Sequence, residues 1–501
     1  MDPLFEIGLD LAAKGSRQSS RSLDLQLKAA LLDGRLAAGA RLPATRKSAA
    51  FLGVSRNTAV EVYEQLLNEG YVVSRHGSGT YVANRIPVSP PPTSSEGAGP
   101  PDHRLNRFWL REEVTASMNF WRDPPQRAAV PAQGAHSVPP VDFRPALVDS
   151  RLFPFDVFRR VSAKQLRGLE RKPASYKSPQ GNQGNYQLRE AITRHIALTR
   201  AVACQAGDIL VTSGAQQAFD VLARALVTPG ETVVAIEDPG YPPMRVAFAA
   251  AGAKLVPVGI DEEGLMVDQL PQNAGVICVC PSHQFPLGVR MSQRRRQLLV
   301  EFARSRGAVI VEDDYDGEFR YDGSPLEALR TADAADVVFY VGTFSKCMLS
   351  ALRLGFIVAP DWALRTLVAA KNCLDWHCST PVQMGVAGFI AEGHLTRHVR
   401  KMRALYKQRR QLLLHSLENE LGEWLEPIPS FYGMHVAAAA RGAADLEAVT
   451  ETLARNNVKL HTFSRYYLGS QTQTGLIFGY GAVDLPQMKQ GLSLLRKALQ
   501  G

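Results

Sequence analysis

From Val141 to its end the chain repeats one pattern, and that pattern limits the fold more than any other feature of the sequence. Short apolar runs, "DILVTSG", "ETVVAIEDPGY", "AKLVPVGI", "AGVICVC", "AVIVEDDY" and "VVFYVGTFSK", alternate with amphipathic stretches such as "AQQAFDVLARALV" and "MSQRRRQLLVEFARSRG". A strand that is apolar along its whole length must be covered on both faces, and an intervening helix is the crossover that parallel pairing requires. The expectation is an α/β domain with a mostly parallel sheet, with a smaller C-terminal α+β subdomain. Most of these runs end in polar or glycine residues, where open α/β sheets collect their ligands.

Residues 1–83 follow a different rhythm. "SLDLQLKAALLDGRL" sets Leu23, Leu27, Ala30 and Leu31 on one helical face, and Gly34 follows as a stop. "PATRKSAAFLG" is a second short helix after Pro43, and "VSRNTAVEVYEQLLNEG" a third, capped by Ser55, with Val60, Tyr63 and Leu67 facing inward and Gly70 at its end. "YVVSRHGSGTYVA" alternates, turns through His76–Gly79 and resumes. Three helices and a two-stranded wing make a winged helix-turn-helix.

Between Gly34 and Val60 stand Arg35, Arg41, Arg46, Lys47 and Arg56 with no acidic residue among them, which suits a polyanion. A recognition helix beginning at Arg56 would aim Arg56, Asn57 and Thr58 at base edges, since Arg and Asn suit G and A in the major groove. Arg41 and Arg46 fit phosphate contacts, and the wing turn with Arg75, His76 and Gly77 suits the minor groove. A basic three-helix unit can also be a protein-interaction module.

Between these regions, residues 84–140 carry "PVSPPPTSSEGAGPP" and "DPPQRAAVPAQGAHSVPP", which cannot sustain helices or central strands and read as a linker. The intervening "LNRFWLREEVTASMNFW" holds four large aromatics and suits a short docked helix. The composition, 45% hydrophobic and 21% charged with a net charge of +9, is that of an ordinary soluble protein. The six cysteines are scattered without a CxxC pair, so reduced thiols are expected and no metal site is read. The N-terminus "MDPLFEIGLD" lacks a basic region before an apolar core, and no apolar run approaches the roughly 20 residues a bilayer needs. A cytoplasmic location is expected.

The strand ends offer parts for a pyridoxal phosphate (PLP) site, which needs a phosphate cradle, a partner for the ring nitrogen, another for the phenolic oxygen and a lysine. "VTSGAQQAFD" runs from a strand through Ser213 and Gly214 into a helix opening with Ala215 and Gln216, whose amides and dipole favour a phosphate. Asp313 can keep a pyridine nitrogen protonated, and Tyr315, two residues on, returns to the same side of the strand. Tyr241 follows the tight turn "EDPGY" and can stack on a ring. Lys346 is flanked by Thr343 and Ser345, and Arg353 can clamp a carboxylate bidentately. Taken singly, each has a bland alternative: a plain turn, an acidic strand end, a surface lysine, a salt-bridge arginine. Their order along the chain is what points to one site.

On the segments "LLDGRLAAGARLPATRKSAAFLGVSRNTAVEVYEQLLNEGYVVSRHGSGTYVA", "EDPGYPPMR", "PSHQFPLGVRMS", "VEDDYDGEFRYDGSPLEAL" and "YVGTFSKCMLSALRLGFIV", the chain resembles the MocR/GabR group of transcription regulators. Residues 21–83 resemble a GntR-type winged helix and 141–501 a fold-type I aminotransferase domain. The resemblance implies PLP on Lys346, Asp313 at the pyridinium nitrogen, Tyr315 at the phenolic oxygen and Tyr241 near the ring. It also implies Arg353 and an arginine of the last domain, for which Arg465 is nominated, as effector carboxylate binders. Either His283 or Gln284 would take the ring-oxygen role of the aminotransferase asparagine. A homodimer is implied, with double-stranded operator DNA and a small amine or amino acid as partners. Three functions follow: a regulator that senses an amine by external aldimine formation, an aminotransferase with an appended DNA-binding domain, and a regulator of vitamin B6 synthesis sensing PLP itself. The first is preferred, because the DNA-reading residues are intact.

Overall fold

The computed structural model describes residues 4, 17–75, 77–84, 104–120, 140–171, 181–321, 327–333 and 336–500. It divides into two compact units, Met1–Leu105 and Asn106–Gly501. In the first, the helices Arg17–Leu32, Thr45–Leu52 and Arg56–Asn68 accompany a small antiparallel sheet. Gly79–Val82 lies between Val72–Arg75 and the two-residue strand Arg41–Leu42, which has no periodicity to betray it. Leu23, Leu27, Leu31, Val62, Leu66, Val72 and Val82 form the core, each large aliphatic side chain contributing about 1.5–3 kcal/mol of burial.

The third helix is rotated from the expected orientation. Ala59, Val62, Tyr63 and Leu66 are buried, whereas Val60 is half-buried and Leu67 is exposed. The Tyr63 hydroxyl donates to Pro43 O at 3.0 Å and meets Ser48 Oγ at 2.8 Å, which fixes the rotation by hydrogen bonding where apolar spacing alone leaves it open. His76 lies outside the described residues.

The second unit holds a sheet whose strands run in the order Ile209–Thr212, Gly355–Val358, Val338–Thr343, Val309–Asp314, Ala274–Val279, Val233–Asp238, Lys254–Asp261 and Gly264–Leu265. All six apolar runs of the sequence are strands here. Neighbouring pairs from Val338–Thr343 through Lys254–Asp261 are parallel, and helices such as Ala215–Leu226 and Gln293–Arg306 cross between strands. Gly355–Val358 is antiparallel to both its neighbours because the chain reverses at Arg353, which adopts a left-handed conformation at φ 47°. A smaller antiparallel sheet of Leu425–Pro427, His435–Ala440, Gly475–Gly479 and His461–Thr462 follows the long helix His394–Asn419. The aromatic stretch within the proline-rich segment forms a turn at Arg107–Leu110 and a helix at Glu112–Met118 that packs on the Pro242–Ala250 helix, burying Val114 and Phe120. No described helix is long and apolar enough to cross a membrane.

Candidate functional site

Strand register gathers the candidate residues at one end of the large sheet. Thr343 pairs with Gly355, and Gly355 with Thr212, so the Lys346 loop and the Ser213–Gly214 turn leave the sheet at the same level. Asp313 pairs with Val341 on the adjacent strand. Lys346 Nζ donates to Ala146 O at 2.6 Å. Burial pushes its ammonium down to about 8; Asp316 and Asp313 oppose that shift and the Arg353 charge adds to it.

Asp313 and Asp314 are adjacent and both buried, and burial raises both carboxyls, but their partners differ. Asp314 accepts from Arg200 Nε at 2.5 Å and from the Tyr340 hydroxyl at 2.6 Å, so its charge is spent inside the fold. Asp313 has Cys280 Sγ at 3.9 Å from Oδ2, and its Oδ1 is buried without a partner. Burial, then the charges of Asp314 and Asp316, push its carboxyl up to about 8, with Lys346 opposing. A buried carboxyl with an orphaned oxygen is what a protonated ring nitrogen would complete. Glu237, whose charge and that of Asp313 act on each other, is likewise pushed up to about 8 by burial, although it accepts from Cys280 N at 3.1 Å.

Beyond Asp313, the Tyr315 hydroxyl lies 2.9 Å from His283 Nδ1 and 3.2 Å from His283 O, and Nδ1 lies 3.0 Å from Asp316 Oδ2. An Nδ1–H donated to Asp316 and a hydroxyl donated to the carbonyl satisfy this set. Gln284 is committed elsewhere: its amide nitrogen donates to Pro239 O and Phe285 O, each at 2.8 Å, and its oxygen accepts from Leu287 N. Of the two candidates in "PSHQF", His283 therefore faces Tyr315. Gly433 is required beside it, since at φ 83° an added Cβ would fall 2.0 Å from His283 Cε1. His283, Asp316 and His435 bring donor atoms within 4.8 Å of one another. The two imidazoles are tilted by 42° with centroids 4.5 Å apart, and His283 Nε2 and His435 Nδ1 are buried without a hydrogen-bond partner among the described residues.

The phosphate-cradle residues form the turn before the Ala215–Leu226 helix, where Gly214 has φ 81°. Ser213 N donates to Gln217 Oε1 at 2.7 Å, while the first helical amides point out of the helix end as they must. Gln216 is turned away to Pro243 O at 3.0 Å. Arg353 stands against this turn: Nη2 donates to Ser213 O at 3.2 Å, and a Cβ on Gly214 would lie 2.9 Å from it. Thr343 Oγ1 donates to Ser345 Oγ at 3.0 Å and accepts from Ser345 N. Tyr241 begins the Pro242–Ala250 helix and meets Phe285 edge-on at 5.4 Å. Phe120 packs edge-on to Tyr241, His461 and Tyr466 at 5.6–6.0 Å. Arg465 is exposed beside Tyr466. Asp316, His435, Ala146 and Phe120 were not anticipated; "DDYDGEF" held Asp316 in plain view, whereas "YGMHVAAAA" offers no signal for His435.

On the first unit, Arg56 and Asn57 open the Arg56–Asn68 helix and are exposed, and Ser55 caps it by accepting from Thr58 N at 3.0 Å. Arg46 and Lys47 are exposed on the preceding helix, and Arg41 is exposed on the short strand with its guanidinium beside Gly79. Arg75 lies over the Tyr81 ring at 4.7 Å, and Gly77 follows it at φ 74°.

Residues 20–82 match the family of bacterial regulatory proteins called gntR, and residues 152–474 match aminotransferase class I and II. The chain is 34% identical over 480 residues to the probable rhizopine catabolism regulatory protein MocR of Rhizobium meliloti, covering 95% of this chain and 93% of that protein. It is 29% identical over 476 residues to the pyridoxine biosynthesis transcriptional regulator PdxR of Corynebacterium glutamicum, covering 95% and 94%. The solved kynurenine aminotransferase of Pyrococcus horikoshii is similar at a TM-score of 0.66 and 25% identity, over 73% of this chain and 91% of that one.

Proposed function

The chain belongs to the MocR-type gntR regulators, a winged helix fused to an aminotransferase fold, and from that premise we propose that it binds operator DNA and senses a primary amine or amino acid at a PLP site on Lys346. The observation that carries the reading is a half-buried Lys346 within the field of Asp313, a buried carboxyl whose Oδ1 has no partner among the described residues. PLP, when bound, supplies an aldehyde that condenses with primary amines and a ring that draws electrons from the carbon so attached.

Each residue then has a task. Lys346 offers its amine, and Asp313 accepts the ring N–H. Tyr315, held by His283, meets the phenolic oxygen. Tyr241 covers one ring face, while the Ser213–Gln216 turn with Ser345 and Arg353 holds the phosphate. Arg465 is the remaining candidate for an effector carboxylate. Arg56, Asn57 and Thr58 read bases, and Arg41, Arg46 and the Arg75–Gly77 wing hold the backbone. Residues 84–140 join a 1–83 DNA-binding domain to a 141–501 effector domain, and we expect a homodimer. For this to be regulation, the effector must favour one DNA-binding arrangement over another by differential affinity.

Similarity to aminotransferases and the presence of Lys346, Asp313 and Tyr315 in one site favour turnover as a second reading. A titration of the cofactor-loaded protein with amines and amino acids separates the two. A visible-absorbance change that persists without keto-acid product, together with altered operator affinity, supports sensing; repeated turnover would make the protein an aminotransferase first. No response to any amine, with DNA affinity tracking PLP alone, would shift the signal to the cofactor itself.

A further inference from the structure

The chain that leads from the winged helix to the effector domain touches the second unit through very few side chains. Of residues 104–120, Val114 and Phe120 alone are buried, while Leu105, Trp109, Leu110 and Met118 stand in solvent. Val114 seats the Glu112–Met118 helix on the Pro242–Ala250 helix. That helix then stops, Phe120 N donates to Ser117 O at 3.3 Å, and the Phe120 ring sits just beyond the helix end at 2% exposure.

The place this ring occupies is the seam between the two sheets of the effector domain. On one side is Tyr241, at 6.0 Å, which follows the large-sheet strand Val233–Asp238. On the other are His461, at 5.7 Å on a strand of the smaller sheet, and Tyr466, at 5.6 Å in the turn that carries Arg465. The two sides are also stitched by hydrogen bonds. Gly240 N and Arg245 Nη1 donate to Tyr466 O at 3.0 and 2.8 Å, and the Asp238 carboxylate accepts from Leu468 N and Gly469 N. Phe120 belongs to the same apolar cluster as Tyr315, Phe285 and Ala146, and the Ala146 carbonyl accepts from Lys346. A linker side chain thus helps to build the wall of the proposed cofactor site.

We infer that Phe120 is a positioning residue of the effector site, and that the linker senses the occupancy of that site through its ring. Tyr241 and the Arg465 turn are the two groups proposed to meet the cofactor ring and an effector carboxylate, so the inference rests on that reading of the site. A ring wedged edge-on between them keeps its seat only while their separation is kept, because close-packed side chains do not deform continuously. Occupancy that resets the seam must therefore reseat Phe120, and with it the docked end of the linker. By linkage the effect runs both ways: removing the ring must change the affinity of the site. A phenylalanine that merely plugs the core would hold the same seat in every state.

The test uses the full-length, PLP-loaded protein with aminooxyacetate as probe, an oxyamine bearing a carboxylate whose nitrogen replaces the Lys346 amine at the PLP aldehyde carbon. Visible absorbance follows occupancy of the site, and hydrogen exchange of peptides covering 106–120 follows the linker. Exchange in these peptides should change about five-fold or more when the probe is added, the lower end of ordinary coupling between sites. In Phe120→Ala the same peptides should exchange equally with and without the probe, and the probe concentration at half-conversion should move by a similar factor. Trp109→Ala, at an exposed position of the same segment, should leave both readouts as in wild type. An absorbance change with unaltered exchange in wild type makes Phe120 a static plug and overturns the inference, while the cofactor reading stands. A Phe120→Ala protein that folds and keeps the probe-dependent change in exchange also overturns it. If that variant does not fold, Val114→Ala loosens the docked helix without touching Tyr241. It should shift the half-conversion point in the same direction by a smaller factor, and an unshifted point overturns the inference. Failure of the wild-type protein to take up PLP, or to respond in absorbance, would instead overturn the cofactor reading, and the inference with it.

Discussion

On the winged helix, Arg46, Lys47, Arg56 and Asn57 stand in solvent, whereas around Lys346 the carboxylates of Glu237, Asp313, Asp314 and Asp316 are all enclosed. Exposed cations act through a long-range field that salt screens, so the DNA-reading end should respond to ionic strength. Enclosed groups act through what burial and neighbours do to proton affinity, so the cofactor end should respond to pH. The two ends of one regulator can therefore be perturbed separately, and the sharpest experiments change one without the other.

The largest effect is expected at Lys346. Lys346→Ala should abolish covalent cofactor attachment, read as the loss of any borohydride-fixed adduct by mass spectrometry. Binding of the variant to random-sequence DNA should keep its wild-type salt slope. An adduct retained at a single other lysine would move the assignment, and a lost salt slope would show that the two ends are not separable.

Within the cofactor end, neighbouring carboxylates give the next contrast. Asp314→Asn leaves the buried Arg200 guanidinium without its charge partner and should cost about 3–5 kcal/mol of stability, read by denaturant unfolding. Asp313→Asn should do the opposite to the apo-protein. Its carboxyl is raised from 3.8 to about 8, so the stability it allows is full below pH 3.8 and is lost as pH rises toward 8. The asparagine variant should then be no less stable at neutral pH and flatter across that window. It should also bind PLP roughly ten- to hundred-fold more weakly, the worth of a charge-assisted hydrogen bond. Equal behaviour of the two variants would erase the distinction drawn from their partners.

At the DNA end the expected change is comparable but confined to sequence. Arg56→Ala should cost about 1–3 kcal/mol on the operator and relax preference at a single base position. An affinity loss uniform across all sequences would recast Arg56 as a phosphate contact.

How far such residues can be found without coordinates depends on what holds them. Six strands were legible because burial on both faces leaves only apolar side chains to choose from, and Asp313, Tyr315 and Lys346 followed from the strand ends. Gly355–Val358 was not, because its direction is set by a left-handed turn at Arg353 that leaves no periodic trace. The same reversal carries the Arg353 guanidinium to Ser213, a placement that spacing from Lys346 cannot reveal. The inward face of the recognition helix was misjudged by about one residue because the Tyr63 hydroxyl decides it. His435 arrives from the second sheet, and only tertiary packing sets its ring against His283.

The finest test concerns the charge balance at Lys346 itself. Its ammonium is lowered from 10.5 to about 8, so the stability it confers is present above pH 10.5 and is lost as pH falls through 8, opposite in sign to Asp313. Because only the free amine attacks an aldehyde, capture of PLP by the apo-protein should accelerate with pH and level off above a midpoint near 8. Asp316 holds that midpoint up and Arg353 holds it down. Asp316→Asn should therefore shift it lower and Arg353→Gln higher, each by a fraction of a unit, read by stopped-flow absorbance across pH 6 to 11. Shifts of the wrong sign would mean that the two charges act by moving the Lys346 loop and not by their field. A wild-type midpoint near 10.5 would mean that the pocket is open to water, removing the contrast between the enclosed and exposed ends.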